Sequence, residues 1–344
     1  MEKFMKIYDE LYDLAYEFKD AALWNFMWDN EIFAVKVFSG ETVYCSVLGR
    51  NGECFALNMY VGESGWNSYL RLQYDPNSFA EQQEMMLSQE CLQISFDEKN
   101  NVHPAQFAQL SKYATAKKFS LKGMSCANFV KYQNRVQPWP VQEESDFKIM
   151  EECMRAALYI AKRFESGKLA IDKFFKNFKV PLYTPKGTTY TKRMVLAECK
   201  YHEKVVIPGI QEFPRIAKAK KKGTLFCDLV FLPMPIADGG TDKAPRYPLM
   251  LMVATEDGMM ILNPPVLTYE ENPEEIVTAF ADSIWQKNSV PKKIVVRNER
   301  TYKLLFPFCE IHGVTLSVGK TEHIDDAYKD MLQMMMDDRS GRMS

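Results

Sequence analysis

The carboxylate of Asp228 lies inside an otherwise apolar run, Leu225–Leu232. An isolated carboxylate in a low-dielectric interior is strongly disfavoured, so this side chain needs a partner. The other stretches that could do chemistry are weaker. Gly319-Lys320-Thr321 ends like a phosphate-binding loop, but the first glycine of that motif would fall at Val314, and the residues between read as a strand. Gly62-Glu63-Ser64-Gly65 lacks the spacing of a nucleophile elbow and reads as a turn before a helix. His103, His202, His312 and His323 have no metal-binding spacing, and His312 falls at a helix C-terminus, where a cation is favoured. Lys218, Lys220, Lys221 and Lys222 read as a solvated turn rather than a phosphate contact. Trp24, Trp28, Trp66 and Trp139 make the N-terminal half rich in tryptophan. Buried, these rings are core; exposed, they form a recognition pocket for a protein or small-molecule partner. In the second case at least two of Trp24, Trp28 and Trp66 border one concave pocket.

The C-terminal part has the clearest element order. Apolar runs at Leu225–Leu232, Pro248–Ala254 and Met259–Pro264 predict three strands, the last two joined by a hairpin turn at Glu256-Asp257-Gly258. Asn272-Pro273-Glu274-Glu275 supplies a cap, a first-turn proline and acids for a helix over 273–288, with Ile276, Phe280 and Ile284 on its apolar stripe. A short strand, Lys293–Arg297, leads to Asn298, which caps a helix over 299–312 that Gly313 terminates. Val314–Val318 is a fifth strand and Thr321 opens a last helix over 322–336, whose stripe is Ile324, Tyr328, Met331 and Met335. Right-handed crossovers make strands four and five parallel to strand one, giving a five-stranded mixed sheet of order 3-2-1-4-5.

The N-terminal part reads as α+β. An amphipathic helix covers 4–18, and three strands, Glu31–Phe38, Thr42–Leu48 and Cys54–Tyr60, form an antiparallel meander punctuated by Gly40 and Asn51-Gly52. A short helix starts at Ser64-Gly65-Trp66, and Gln82–Gln89 is a helix or a loop. Cys91–Phe96 is a strand, Pro104–Tyr113 a helix, and Gln137-Pro138-Trp139-Pro140 breaks regular structure before a long helix at Glu143–Phe164. Leu169–Phe178 is a possible helix and Arg193–Cys199 a possible strand. The organisation expected is an N-terminal domain at 1–170, a connecting segment at 171–222, a C-terminal domain at 223–338 and a frayed tail at 339–344.

Bulk properties narrow the class. A chain of 344 residues with 47% hydrophobic and 26% charged residues suits a two-domain globular protein. A net charge of −2 gives no strong field for nucleic acid or anionic membrane. No apolar run reaches the roughly 18 residues of a membrane span, and no signal-peptide core is present. The 8 cysteines include no C-x-x-C pair, so reduced thiols in a cytoplasm are expected. Nothing calls for a metal or another cofactor.

Two resemblances follow. The C-terminal order of elements, with Pro291 before the fourth strand in Ser289–Asn298, resembles the RNase H-like fold shared with integrases and transposases. That resemblance implies metal-binding carboxylates on strand one, at the end of strand four and on the last helix. Strand one offers Asp228 and the last helix offers Asp325 or Asp326, but the strand-four position holds Arg297. A guanidinium cannot ligate a metal, so the resemblance implies a degenerate site in which Asp228 and Arg297 form a structural pair. The whole chain resembles an uncharacterised bacterial two-domain family of unknown function, on Tyr60-Val61-Gly62-Glu63-Ser64-Gly65, Pro138-Trp139-Pro140, Asp228 with Pro233-Met234-Pro235, and Arg246-Tyr247-Pro248. The expected function is a non-catalytic binding or adaptor protein. The alternative is a metal-dependent nuclease or transposition-related enzyme using Asp228, Asp325 or Asp326, with a further carboxylate from Glu256, Asp257 or Asp282.

Overall fold

The computed structural model describes residues 6–76, 78–169, 178–237, 243–261 and 263–341, with side chains as far as 334. The chain divides into two compact units, and the division is not sequential. The first unit is Met1–Tyr74 with Ser88–Tyr201; the second is Asp75–Leu87 with His202–Ser344. The expected boundary near residue 170 therefore moves to 201, because the hairpin that follows belongs to the first sheet. A short internal segment leaves the first unit altogether.

The first unit runs α1 (Asp9–Ala21), β1 (Phe33–Lys36), β2 (Thr42–Leu48), β3 (Ala56–Val61) and α2 (Gly62–Arg71). After α3 (Phe79–Leu87), which lies in the second unit, it continues with β4 (Cys91–Asp97), α4 (Pro104–Lys117), β5 (Cys126–Gln133), β6 (Val136–Pro140), α5 (Glu144–Glu165), β7 (Lys179–Lys186) and β8 (Thr189–Leu196). These strands form one eight-stranded sheet of order β6-β5-β4-β3-β2-β1-β7-β8, antiparallel except where β7 runs parallel to β1. Alternation sends Val43, Cys45, Val47, Leu57, Met59, Leu92, Ile94 and Phe96 into a core with α1 and α5. The opposite face packs Ala34, Tyr60, Val180 and Leu182 against Trp66 and Tyr69 of α2.

Several expectations change here. The meander is longer than the three strands read from the sequence, because β5 and β7 lie in half-polar stretches. The Asn51-Gly52 turn is not a two-residue hairpin: β2 ends at Leu48 and β3 begins at Ala56. Val136–Pro140 is a strand rather than a break, since β6 is at the sheet edge, where proline's missing donor is tolerated. The possible helix at Leu169–Phe178 falls largely outside the described residues.

The second unit comprises α3, α6 (Pro214–Lys218), β9 (Thr224–Phe231), β10 (Leu249–Thr255), β11 (Met260–Ile261), α7 (Glu274–Gln286), β12 (Lys293–Val296), α8 (Glu299–His312), β13 (Thr315–Val318) and α9 (Glu322–Gly341). Its sheet order is β11-β10-β9-β12-β13, with β12 parallel to both β9 and β13. Asn298 caps α8, its Oδ1 accepting from Thr301 N at 2.9 Å, and Gly313 ends the helix with φ 59°. Residues Leu225, Cys227, Leu229 and Phe231 face α7 and α8. Val230 faces the other way, with Ala80 of α3 and Ile324, Tyr328 and Leu332 of α9. Fully burying each such aliphatic or aromatic side chain contributes roughly 1.5–3 kcal/mol.

Candidate functional site

The register of the second sheet places the site. Val296 pairs with Cys227 in the parallel β9–β12 ladder. The next residue on each strand, Arg297 and Asp228, therefore points to the same side, the one covered by α3 and α9. Arg297 Nε lies 2.9 Å from Asp228 Oδ2, and its Nη2 lies 2.8 Å from Asp325 Oδ1 on the first turns of α9. Nε also donates to Thr321 Oγ1 at 3.1 Å, just before that helix. One guanidinium thus sits between a carboxylate of the central strand and a carboxylate of the last helix.

A second arginine lies beside the first. Arg300, on the first turn of α8, donates through Nη2 to Leu229 O at 2.7 Å and to Glu84 Oε2 at 2.8 Å, while its Nη1 pairs with Glu84 Oε1. Glu84 comes from α3 and is buried, as is Arg300. Thr301 ties the two halves together: its Oγ1 accepts from Leu229 N at 3.2 Å and stands 3.5 Å from Asp228 Oδ1. Tyr328 of α9 donates its hydroxyl to Phe231 O at 2.6 Å.

Asp228 is 2% exposed. Burial pushes its carboxyl up to about 7; Arg297 and Arg300 pull it down, and Glu84 and Asp325 push it up again. Three carboxylates, Asp228, Asp325 and Glu84, contact the two guanidinium groups, and Glu203 also acts on Arg300, so acids outnumber bases. The chemistry of this donor set does not fit a divalent cation, because the space between Asp228 and Asp325 holds a permanent positive charge. Among the described residues no group of three histidine, cysteine, aspartate or glutamate side chains could hold a metal ion.

The remaining candidates are dispersed. Asp326 is exposed on α9, and Glu256, Asp257 and Asp282 are exposed away from the cluster. Asp257 accepts from Thr255 within its own turn. Lys320 is exposed and pairs with Glu322, so Gly319-Lys320-Thr321 is a helix start. His312 is buried against Phe308, and its Nε2 accepts from Phe213 N at 3.3 Å. Burial pushes its pKa down, so the cation expected at this helix end is a neutral ring.

The tryptophans do not converge. Trp24 is buried against Phe18 and Phe55. Trp66 is buried too, stacked between Tyr44 and Tyr69, with Nε1 donating to Glu198 O at 2.8 Å. Their large apolar area makes both rings core packing. Trp139 meets His103 edge-on at 5.1 Å. Trp28 alone of the four is strongly exposed, at 43%. It lines an open cleft of ≈ 120 Å³ with Asp29, Gly49, Arg50, Glu53 and Cys54, and the Arg50 guanidinium lies 4.3 Å over its ring.

Residues 8–180 match the family described as domain of unknown function (DUF7309), about half of the chain. The chain belongs to the DUF7309 family. Residues 212–332 match a second domain of unknown function, DUF6930. No curated protein matches the chain. The DUF7309 span contains α3 and with it Glu84; the DUF6930 span carries Asp228, Arg297, Arg300, Thr301 and Asp325. The buried cluster is therefore assembled from both spans of this DUF7309 protein. Sequence reasoning missed Glu84, Arg300 and Thr301. A weak signal existed for Arg300, an arginine in the first turn of a helix, where cations are disfavoured unless paired. Among the described residues no helix is long and apolar enough to cross a membrane.

Proposed function

We propose that this protein is a non-catalytic binding or adaptor protein whose C-terminal unit is an RNase H-like module with a degenerate site. The single observation that carries this reading is Arg297, placed 2.9 Å from Asp228 and 2.8 Å from Asp325. The strand order β11-β10-β9-β12-β13 supports the fold assignment, since it is the order that nucleases of that class use. In them, carboxylates from these three positions clamp metal ions. Here the fixed fork of one arginine pairs with both carboxylates instead, and the site becomes a structural tie between β9, β12 and α9. Eight free thiols fit a cytoplasmic protein.

The test is a magnesium and manganese titration of the purified chain. Thermal unfolding is measured alongside cleavage of labelled single- and double-stranded DNA and RNA. The expected outcome is no cleavage and no metal-dependent rise in Tm. Metal-stimulated cleavage that Asp228→Asn abolishes overturns the reading in favour of a nuclease.

A further inference from the structure

The first sheet finishes on an open edge. β8 pairs with β7 and with no other strand among the described residues. All of its residues except Tyr190 and Val195 are exposed. An edge strand presents a row of N–H and C=O groups with no ladder partner, a template for another extended chain.

The side chains specify the template. Met194 and Leu196 lie on one side of the hairpin, opposite Pro181 and Lys179. They are 41% and 77% exposed, and adjoining Phe178 is 55% exposed. Arg193, opposite Leu182, lies on the other side with Val195, and Lys186 shares that side, whereas Lys179 and Lys192 flank Met194 and Leu196 on the first. The hairpin strands carry Lys179, Lys186, Lys192 and Arg193 and contain no acid.

We infer that β8 is a strand-addition site for an extended segment of another protein in which apolar and acidic residues alternate. Such a segment joins the sheet as a further strand. Period-two alternation places its apolar side chains beside Met194 and Leu196 and its carboxylates beside Arg193. Backbone pairing supplies affinity and the two faces supply selection. A second copy of this chain is the wrong occupant. β8 runs from Thr189 to Leu196, so a two-fold antiparallel pairing centres on Lys192 and Arg193 and sets like charges against each other. The same cations that deter self-association select an acidic partner. This surface lies in the first unit and shares no residue with the Arg297 cluster, so either reading fails without the other.

The experiment uses the full chain and two fluorescein-labelled peptides matched to β8 in length, one alternating valine with glutamate and one alternating valine with lysine. Anisotropy measures affinity, and amide hydrogen exchange locates the peptide. The expected result is about tenfold or greater preference for the glutamate peptide at low salt. Slowed exchange is confined to the β7–β8 hairpin, and the exposed substitution Arg193→Glu weakens the preference severalfold. Equal or undetectable binding of both peptides overturns the inference. So does protection elsewhere, a preference that Arg193→Glu leaves unchanged, or self-association that protects β8.

Discussion

Replacing Arg297 by alanine separates the charge of the buried cluster from its packing, because the loss depends on pH in a defined direction. Asp228 titrates at about 7 in the folded protein. In an unfolded chain an aspartate titrates near about 3.9. Between these values the folded state holds a proton that the unfolded state has released. The contribution of Asp228 to stability is therefore fully present below the lower value and is lost as pH rises through the upper one. Arg297 is the stronger of the two cations that hold the folded value down, so its removal raises that value further. Near about pH 5 the Asp228 carboxyl is protonated with or without Arg297, and the variant loses stem packing, the bond to Thr321 and the pairing with Asp325, about 1–2 kcal/mol. Above about pH 7 the wild type carries an ionised pair, whereas the variant must keep its proton. The difference then widens by about 1.4 kcal/mol per pH unit, towards the ~3–5 kcal/mol of a broken buried pair. Urea unfolding across this pH range, with amide exchange in β9 and β12 to isolate the second unit, measures it. A loss that is the same at about pH 5 and about pH 8, or smaller than about 1 kcal/mol at the higher pH, refutes the reasoning.

Glu84→Ala leaves buried Arg300 without its bidentate partner and costs about 3–5 kcal/mol in the second unit; joining Glu84→Leu to Arg300→Met recovers most of that loss in a double-mutant cycle. Additive losses in that cycle contradict the pairing. Gly65→Ala sets a methyl group 2.7 Å from the backbone carbonyl carbon of Tyr60, which cannot swing aside, and lowers stability by about 1–3 kcal/mol. A thermal scan that finds Gly65→Ala neutral shows that α2 can shift on β3. The His312 ring titrates by NMR below the ordinary histidine value of about 6.5, because burial disfavours its cation; a midpoint above that value contradicts its assignment as a neutral acceptor.

The C-terminal sheet was legible because its signals are local and mutually consistent. Continuous apolar runs mark β9, β10 and β12, Asn298 and Gly313 punctuate α8, and crossover handedness orders the strands. Arg297 and Asp228 were legible as neighbours for the same reason. The parts that were not legible depend on distant residues. β5 and β7 carry lysines, tyrosines and prolines that blur alternation, and both become strands through their neighbours in the sheet. Burial of Trp24 and Trp66 is decided by tertiary packing, which the spacing of four between Trp24 and Trp28 does not encode. Glu84 lies in Glu81-Gln82-Gln83-Glu84, a polar helix segment with nothing to mark its partner, Arg300, far along the chain.

That long-range pair carries a consequence for how the two domains of unknown function relate. The DUF6930 span begins at residue 212, yet part of the apolar face of its sheet is closed by α3, from inside the DUF7309 span. Phe79 packs near Tyr328 at a ring separation of 6.2 Å, Ala80 is buried beside Val230, and Leu87 reaches the core on the other side of the sheet. Glu84 neutralises a guanidinium that is itself bonded to the central strand. A chain of His202–Ser344 alone would expose that face and leave buried Arg300 without its bidentate partner, a combined cost comparable to the whole stability of a small domain. Such a fragment is expected to lack a cooperative unfolding transition and to regain one when a peptide covering Asp75–Leu87 is added. Cooperative unfolding of the fragment alone, at the midpoint the second unit has in the intact chain, would refute this dependence. The expected dependence also assigns α3 its role: it completes the C-terminal fold from within the N-terminal sequence, over the sheet face that carries Asp228 and Arg297.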